Sequence, residues 1–228
     1  MPAPPFRIKV CGITRKADAQ AVFAAGADAI GLNFYTKSPR YLKGSVVDLL
    51  ELGGIHRSLY RPFGAVGLFV NASVNEILSH IELAKIDMIQ LHGDEPPEFL
   101  AELPDLPIIR ARRMDDRGVA AIAEDLEACR AAGRVPDAVL VDAFTPGRYG
   151  GTGETVSWAG LADHPRWLGE VPLILAGGLT PDNVAEAIRM VRPSGVDVAS
   201  GVESAPGVKD IVKVRDFVAA ATAAFESL

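Results

Sequence analysis

Two cysteines in 228 residues, Cys11 and Cys129, are too few and too far apart for a disulfide framework. Neither stands in a CxxC or Cys/His spacing that would build a structural zinc site. A reducing cytoplasm is the compartment such a chain fits. Basic charge is also scarce: 23 Lys and Arg face 29 Asp and Glu, for a formal charge of −6 and a pI near 5.3. That balance supplies no positive field on which nucleic acid would wrap. No apolar run reaches the roughly 18 residues of a membrane span, and the leading MPAPPFR lacks the apolar stretch of a signal peptide. Neither membrane nor export is expected. The GxxxxGK[ST] phosphate loop, a dinucleotide fingerprint and a metal-ligand cluster are missing too, so redox, nucleotide and metal chemistry have no signature here.

What is present is a hydrophobic content of 49%, enough for one large core. Short β-branched and aliphatic runs alternate with Ala/Leu/Glu-rich stretches of helical spacing, the pattern of repeated βα units. Eight strands are predicted, near Arg7–Ile13, Ala29–Phe34, Ala65–Val70, Met88–His92, Pro107–Ala111, Ala138–Asp142, Leu173–Ala176 and Val196–Ser200. Helices are predicted near Lys16–Ala25, Val46–Ile55, Val74–Leu83, Pro97–Glu102, Asp116–Ala132, Ser157–Ala162, Pro181–Val191 and Lys209–Phe225. An open doubly wound sheet shares this alternation. Eight units without a switch-point signature favour an α/β fold of the single (β/α)8 TIM-barrel type, one catalytic domain over 1–228. The longest irregular segments, Tyr35–Gly44 and Ala143–Thr155, both follow strands, where barrels of this kind carry their chemistry.

Strand side chains alternate faces, so polar exceptions in apolar runs mark what points toward the barrel axis. RIKVCGI puts Lys9 and Cys11 on one face. MIQLHG does the same for Gln90 and His92, AVLVDA ends on Asp142, and GVDVAS carries Asp197. Four strands thus aim polar groups at one end of one barrel, which packing alone disfavours because buried charge is costly. Cys11 by itself would pass for a small core hydrophobe, and His92 for a strand cap. The end of strand one is where barrel enzymes place catalytic groups, which favours a site role for Cys11. Cys129 reads as structural, and His56, His80 and His164 as solvated.

Gly177 and Gly178 follow strand seven, with Thr180 as a helix cap and Pro181 at the first helical position. Ser200 and Gly201 open a turn after strand eight. Glycines here could simply make tight turns, but free backbone N–H groups after these two strands are the usual phosphate site of a barrel, so a phosphorylated substrate is expected. The glycine-rich Gly147–Gly153 reads as a lid rather than a linker. In YTKSPRYL, Arg40 offers a planar fork suited to a carboxylate.

These motifs together resemble the phosphoribosylanthranilate isomerases. The matching segments are KVCGIT, NFYTKSPRYL, GLFVN, IQLHGDE, DAFTPGRYGGTG, ILAGGLTPDNV and GVDVASGVESAPGVKD, spanning almost the whole chain. The resemblance implies a cofactor-free, metal-free Amadori rearrangement of N-(5′-phosphoribosyl)anthranilate in tryptophan biosynthesis, by a monomer or homodimer. It implies Cys11 as general base, Asp142 as general acid, Arg40 on the anthranilate carboxylate, phosphate at Gly177, Gly178, Ser200 and Gly201, and Lys9, His92 and Asp197 lining the pocket. A carboxyl acid needs its pKa raised and a thiol base needs it lowered; Lys9, two residues from Cys11, is expected to favour the thiolate. Thr36, Ala199 and Val156-Ser157-Trp158 depart from the family's usual residues without touching Cys11 or Asp142. A histidine-pathway isomerase, which would carry an aspartate where Cys11 stands, and a non-catalytic barrel are the competing readings.

Overall fold

The computed structural model describes residues 4–43, 64–114, 117–142 and 158–228. Eight parallel strands close into a barrel in chain order: β1 (Ile8–Cys11), β2 (Ala29–Asn33), β3 (Gly64–Phe69), β4 (Met88–Leu91), β5 (Ile108–Arg113), β6 (Ala138–Asp142), β7 (Leu173–Leu175) and β8 (Gly195–Val198). Closure is direct, with Lys9 of β1 in register with Asp197 of β8. All eight predicted strands are present, β6 with the predicted bounds and the others with one or both ends displaced by one or two residues. The expected helix at Val46–Ile55 and the lid at Gly147–Gly153 lie outside the described residues.

A repeated device sets the register at the amino ends of the strands. Asp28, Asp87 and Asp137 each stand one residue before an even-numbered strand, and each carboxylate accepts a hydrogen bond from the start of the preceding odd one. Asp28 Oδ2 takes the N–H of Ile8 at 2.8 Å, Asp87 Oδ2 that of Ala65 at 2.9 Å, and Asp137 Oδ2 that of Ile108 at 2.8 Å. A strand end inside a closed barrel would otherwise leave that donor without a partner, so three aspartates do at the base what a turn does in a hairpin.

Alternation divides the core in two. Val10, Ile30, Leu91, Val139, Leu175 and Val198 belong to the layer between barrel and helices, whereas Phe6, Val66, Met88, Ile109, Leu140 and Ile174 fill the barrel itself. The outer layer is covered by α1 (Lys16–Ala25), α2 (Val74–Ala84), α3 (Val119–Ala131), α4 (Trp158–Leu161), α5 (His164–Leu168), α6 (Val184–Val191) and α7 (Ile211–Glu226).

Several local expectations are corrected. Pro97–Glu102 forms a 3₁₀ helix rather than an α-helix, because prolines open it and Pro104 follows closely. The Arg134 guanidinium donates to the carbonyls of Leu100, Leu103, Pro104 and Leu106, satisfying the groups this short turn leaves open. The helix expected from Pro181 begins at Val184 with Asn183 as its cap; Asn183 Oδ1 accepts from Thr180 N at 2.8 Å, so Thr180 belongs to the turn. The last helix starts at Ile211, since Lys209 lies in a small hairpin of β9 (Glu203–Ala205) and β10 (Val208–Lys209). His164 is buried beside the chain at 191–192 rather than solvated, and burial lowers its pKa. His80 is half-buried, its ring 4.3 Å from that of Phe34.

One feature of the outer layer was not legible in advance. Arg110 of β5 is fully buried, and with Arg112 it holds Asp125 of α3 through four hydrogen bonds of 2.6 to 2.9 Å. Burial raises the Asp125 carboxyl, but the two guanidiniums outweigh it and hold the pKa at about 2 against an ordinary 3.8. A depressed carboxylate contributes stability above its unfolded pKa and loses it as pH falls through the folded value. Asp125→Ala should therefore cost roughly 3 kcal/mol near neutral pH, the scale for stranding a buried charge. In chemical denaturation, the difference from wild type should shrink between about pH 4 and about pH 2; a constant difference would show that Asp125 does not act through its charge.

Candidate active site at the carboxyl ends of the strands

The floor of the site is an ion pair. Lys9 and Asp197, inward on neighbouring strands, bring Nζ and Oδ1 to 2.8 Å, with both residues buried. The contact is ionic rather than well angled, and neither atom has a hydrogen-bond partner among the described residues. Burial opposes the Lys9 charge, but attraction to Asp197 and Cys11 prevails and its pKa is raised.

Cys11 lies one inward step above Lys9, in register with Gly31 of β2. The missing side chain there makes its room: a Cβ at Gly31 would come within 2.5 Å of Sγ. Burial pushes the thiol's pKa up, Lys9 and Lys209 pull it down and Asp197 pushes it up, with a net rise. The expectation that Lys9 favours the thiolate holds for the sign of its own contribution. It does not hold for the sum, because desolvation of a buried thiol exceeds the attraction.

Across the mouth, β6 ends on Asp142, whose Oδ2 is 3.6 Å from His92 Nε2. Gln90, buried on β4, donates its amide to His92 Nδ1 at 3.2 Å, which leaves the ring proton on Nε2, facing Asp142. Beneath them, the buried Glu95 accepts the backbone N–H groups of Asn71 at 2.8 Å and Gly93 at 3.0 Å, tying the loop after β3 to the loop that carries His92. Arg113, the last residue of β5, is in register with Asp142 and was passed over in the sequence.

The turns after β7 and β8 meet. Gly177 and Gly178 have φ of 83° and 65°, left-handed values that favour glycine. A Cβ at Gly201 would collide with the Leu179 carbonyl oxygen. Gly177, Gly178, Ser200 and Gly201 are all half-buried.

Arg40 departs from the simple expectation. Its guanidinium is already paired through Nε and Nη2 with the two oxygens of Glu203, each at 2.8 Å. Glu203 and Lys209 were missed because they lie in the hairpin read as turn and helix. Pro206-Gly207 between two short alternating runs is the signal that would have revealed it. The structure thus unites Lys9 with Asp197, His92 with Asp142, and the two glycine turns with each other, while Arg40 is drawn to the hairpin.

Polar side chains gathered at the carboxyl ends of a closed parallel barrel define the chain as a barrel enzyme. The family model of N-(5′-phosphoribosyl)anthranilate (PRA) isomerase matches residues 8–220. An N-(5′-phosphoribosyl)anthranilate isomerase of Myxococcus xanthus is 47% identical over 200 residues, covering 85% of each chain. The solved phosphoribosyl anthranilate isomerase of Thermotoga maritima superposes with a TM-score of 0.81 at 34% identity, covering 96% of this chain and 99% of its own. Another solved isomerase, in complex with reduced 1-(o-carboxyphenylamino)-1-deoxyribulose 5-phosphate, gives 0.75 at 33% identity, with coverage of 96% and 99%. The chain belongs to the N-(5′-phosphoribosyl)anthranilate isomerase family and is an isomerase.

The electrostatics around Cys11 carry a test. Lys9→Met removes a contribution that lowers the thiol's pKa, so the pH midpoint for alkylation of Cys11 by iodoacetamide, followed by mass spectrometry to separate it from Cys129, should move upward. An unchanged midpoint would show that Lys9 does not act on the thiol.

Proposed function

We propose that the chain rearranges N-(5′-phosphoribosyl)anthranilate to 1-(2-carboxyphenylamino)-1-deoxyribulose 5-phosphate in tryptophan biosynthesis, with Cys11 as general base and Asp142 as general acid. The observation that carries this reading is the placement of these two groups at inward positions on β1 and β6, opening on one mouth. The turns at Gly177, Gly178, Ser200 and Gly201 suit the substrate phosphate, since backbone N–H groups and glycine's small profile favour close approach of an anion. Arg40 suits the anthranilate carboxylate.

Asp142 protonates the ribose ring oxygen. The bond from that oxygen to C1′ breaks as the anilino nitrogen lone pair forms the Schiff base. Cys11 thiolate then takes the C2′ proton, the C–H electrons become the C1′–C2′ double bond, and the iminium nitrogen is neutralised. The resulting enolamine gains a proton at C1′ and loses the proton of its C2′ hydroxyl, which makes the ketone at C2′. Oxidation at C2′ balances reduction at C1′ within one molecule, so no external electron acceptor takes part. His92, with its Nε2 proton toward Asp142, orients the acid, and Gln90 fixes the ring.

The substrate's fluorescence is lost on turnover. Purified protein added to freshly generated phosphoribosylanthranilate in excess chelator should remove that signal. Cys11→Ser and Asp142→Asn should each lower kcat by on the order of 10²- to 10⁴-fold, the usual contribution of a positioned acid or base. Turnover surviving both substitutions would discard these roles, and none by the intact protein would discard the substrate.

A further inference from the structure

The hairpin after β8 contributes two buried groups, Glu203 and Lys209, that the reaction as described does not use, and they close a triad with Arg40. Glu203 accepts from Arg40 Nε and Nη2 and from Lys209 Nζ, all at 2.8 Å. The Lys209 side chain is fully buried and donates further to the Ala199 carbonyl at 3.1 Å. The fully buried Lys209 and the half-buried Arg40 thus share one carboxylate, an arrangement stable only while Glu203 is ionised.

The triad is anchored to the reacting end of the barrel from several sides. Thr14 Oγ1, three residues past Cys11, donates to the Gly207 carbonyl at 2.6 Å. The Lys209 N–H donates to Asp18 of α1 at 3.2 Å, and Lys213 of α7 holds the Glu203 carbonyl at 3.2 Å. The Arg40 stem lies across Gly12, next to Cys11: a Cβ at Gly12 would be 2.6 Å from Arg40 Cδ. Glu203 commits Nε and Nη2, leaving Nη1 as the nitrogen not bound to it, and sets the plane of the guanidinium beside Cys11.

We propose that Glu203, balanced by the buried Lys209, is a positioning residue that holds the Arg40 guanidinium in the orientation that receives the carboxylate of the substrate. The inference rests on the reading of Arg40 as the carboxylate-binding group. An arginine left to its own rotamers would lose that freedom on binding; one already fixed by a bidentate carboxylate binds at less entropic cost. The effect belongs to substrate affinity rather than to the chemical step, since Arg40 meets the carboxylate in ground state and transition state alike.

A double-mutant cycle tests this on the full chain. Wild type, Arg40→Ala, Glu203→Gln and the double variant are assayed for turnover and titrated with reduced 1-(o-carboxyphenylamino)-1-deoxyribulose 5-phosphate, with thermal melts to establish folding. Glu203→Gln should raise KM and the analogue's Kd on the order of tenfold, the scale for losing a charge-assisted hydrogen bond, with a smaller change in kcat. In the Arg40→Ala background the same substitution should change Kd by less than about twofold. Glu203→Asp keeps the charge but withdraws it by one methylene, and should show the same dependence on Arg40 if the glutamine variant does not fold. An unchanged Kd in folded Glu203→Gln, or an equal change in both backgrounds, would overturn the proposal. Normal affinity in Arg40→Ala alone would instead overturn the reading of Arg40 on which it rests.

Discussion

A lysine ammonium inside a barrel cannot be left unmatched, and the pairing of Lys9 with Asp197 at 2.8 Å is the constraint around which the site is arranged. The two residues face each other across the β1–β8 seam, so the contact that balances the charge lies where the barrel closes. Everything above it inherits the result. Cys11 sits directly over the ammonium, in room that Gly31 leaves. With Arg40, Glu203 and Lys209 added, three cations stand against two carboxylates around the thiol. The surplus positive charge offsets part of what burial does to the thiolate and suits a site that receives an anionic substrate.

The scaffold separates stability from chemistry by end and by layer. At the amino ends, three aspartates cap strand starts and fix the register. In the outer layer, Arg110, Arg112 and Asp125 weld β5 to α3, and Arg110 also donates to the Glu95 carbonyl in the loop that carries His92. Those contacts hold the strands in place so that the carboxyl-end loops can carry groups chosen for reaction. Glu95 shows the same economy on a smaller scale, joining two loops through backbone N–H groups and thereby steadying His92.

How much was legible follows from the range of each interaction. The alternation within RIKVCGI, MIQLHG, AVLVDA and GVDVAS was enough to turn Lys9, Cys11, Gln90, His92, Asp142 and Asp197 inward, because a strand's side-chain period is a local property. The glycines at 177 and 178 were legible for a similar reason, since left-handed backbone is a local demand. Arg40 could be read as a carboxylate binder, but Glu203, 163 residues away, could not be read as the carboxylate it meets first. The solvated reading of His164 failed because its ring is buried against the chain at 191–192, at the end of α6, a contact no local pattern announces.

By itself the sequence determined the strand count, the face that β1, β4, β6 and β8 turn to the axis, the family and the residue types available for proton transfer. These follow from short-range periodicity and from motifs that are contiguous in the chain. Tertiary structure alone decided which charges meet: Lys9 with Asp197, Arg40 with Glu203 and Lys209, Arg110 and Arg112 with Asp125. It also decided the direction in which the Cys11 thiol shifts. Desolvation and pairing energy depend on what surrounds a group in space, and closing the barrel brings together side chains that the chain order keeps nearly two hundred residues apart.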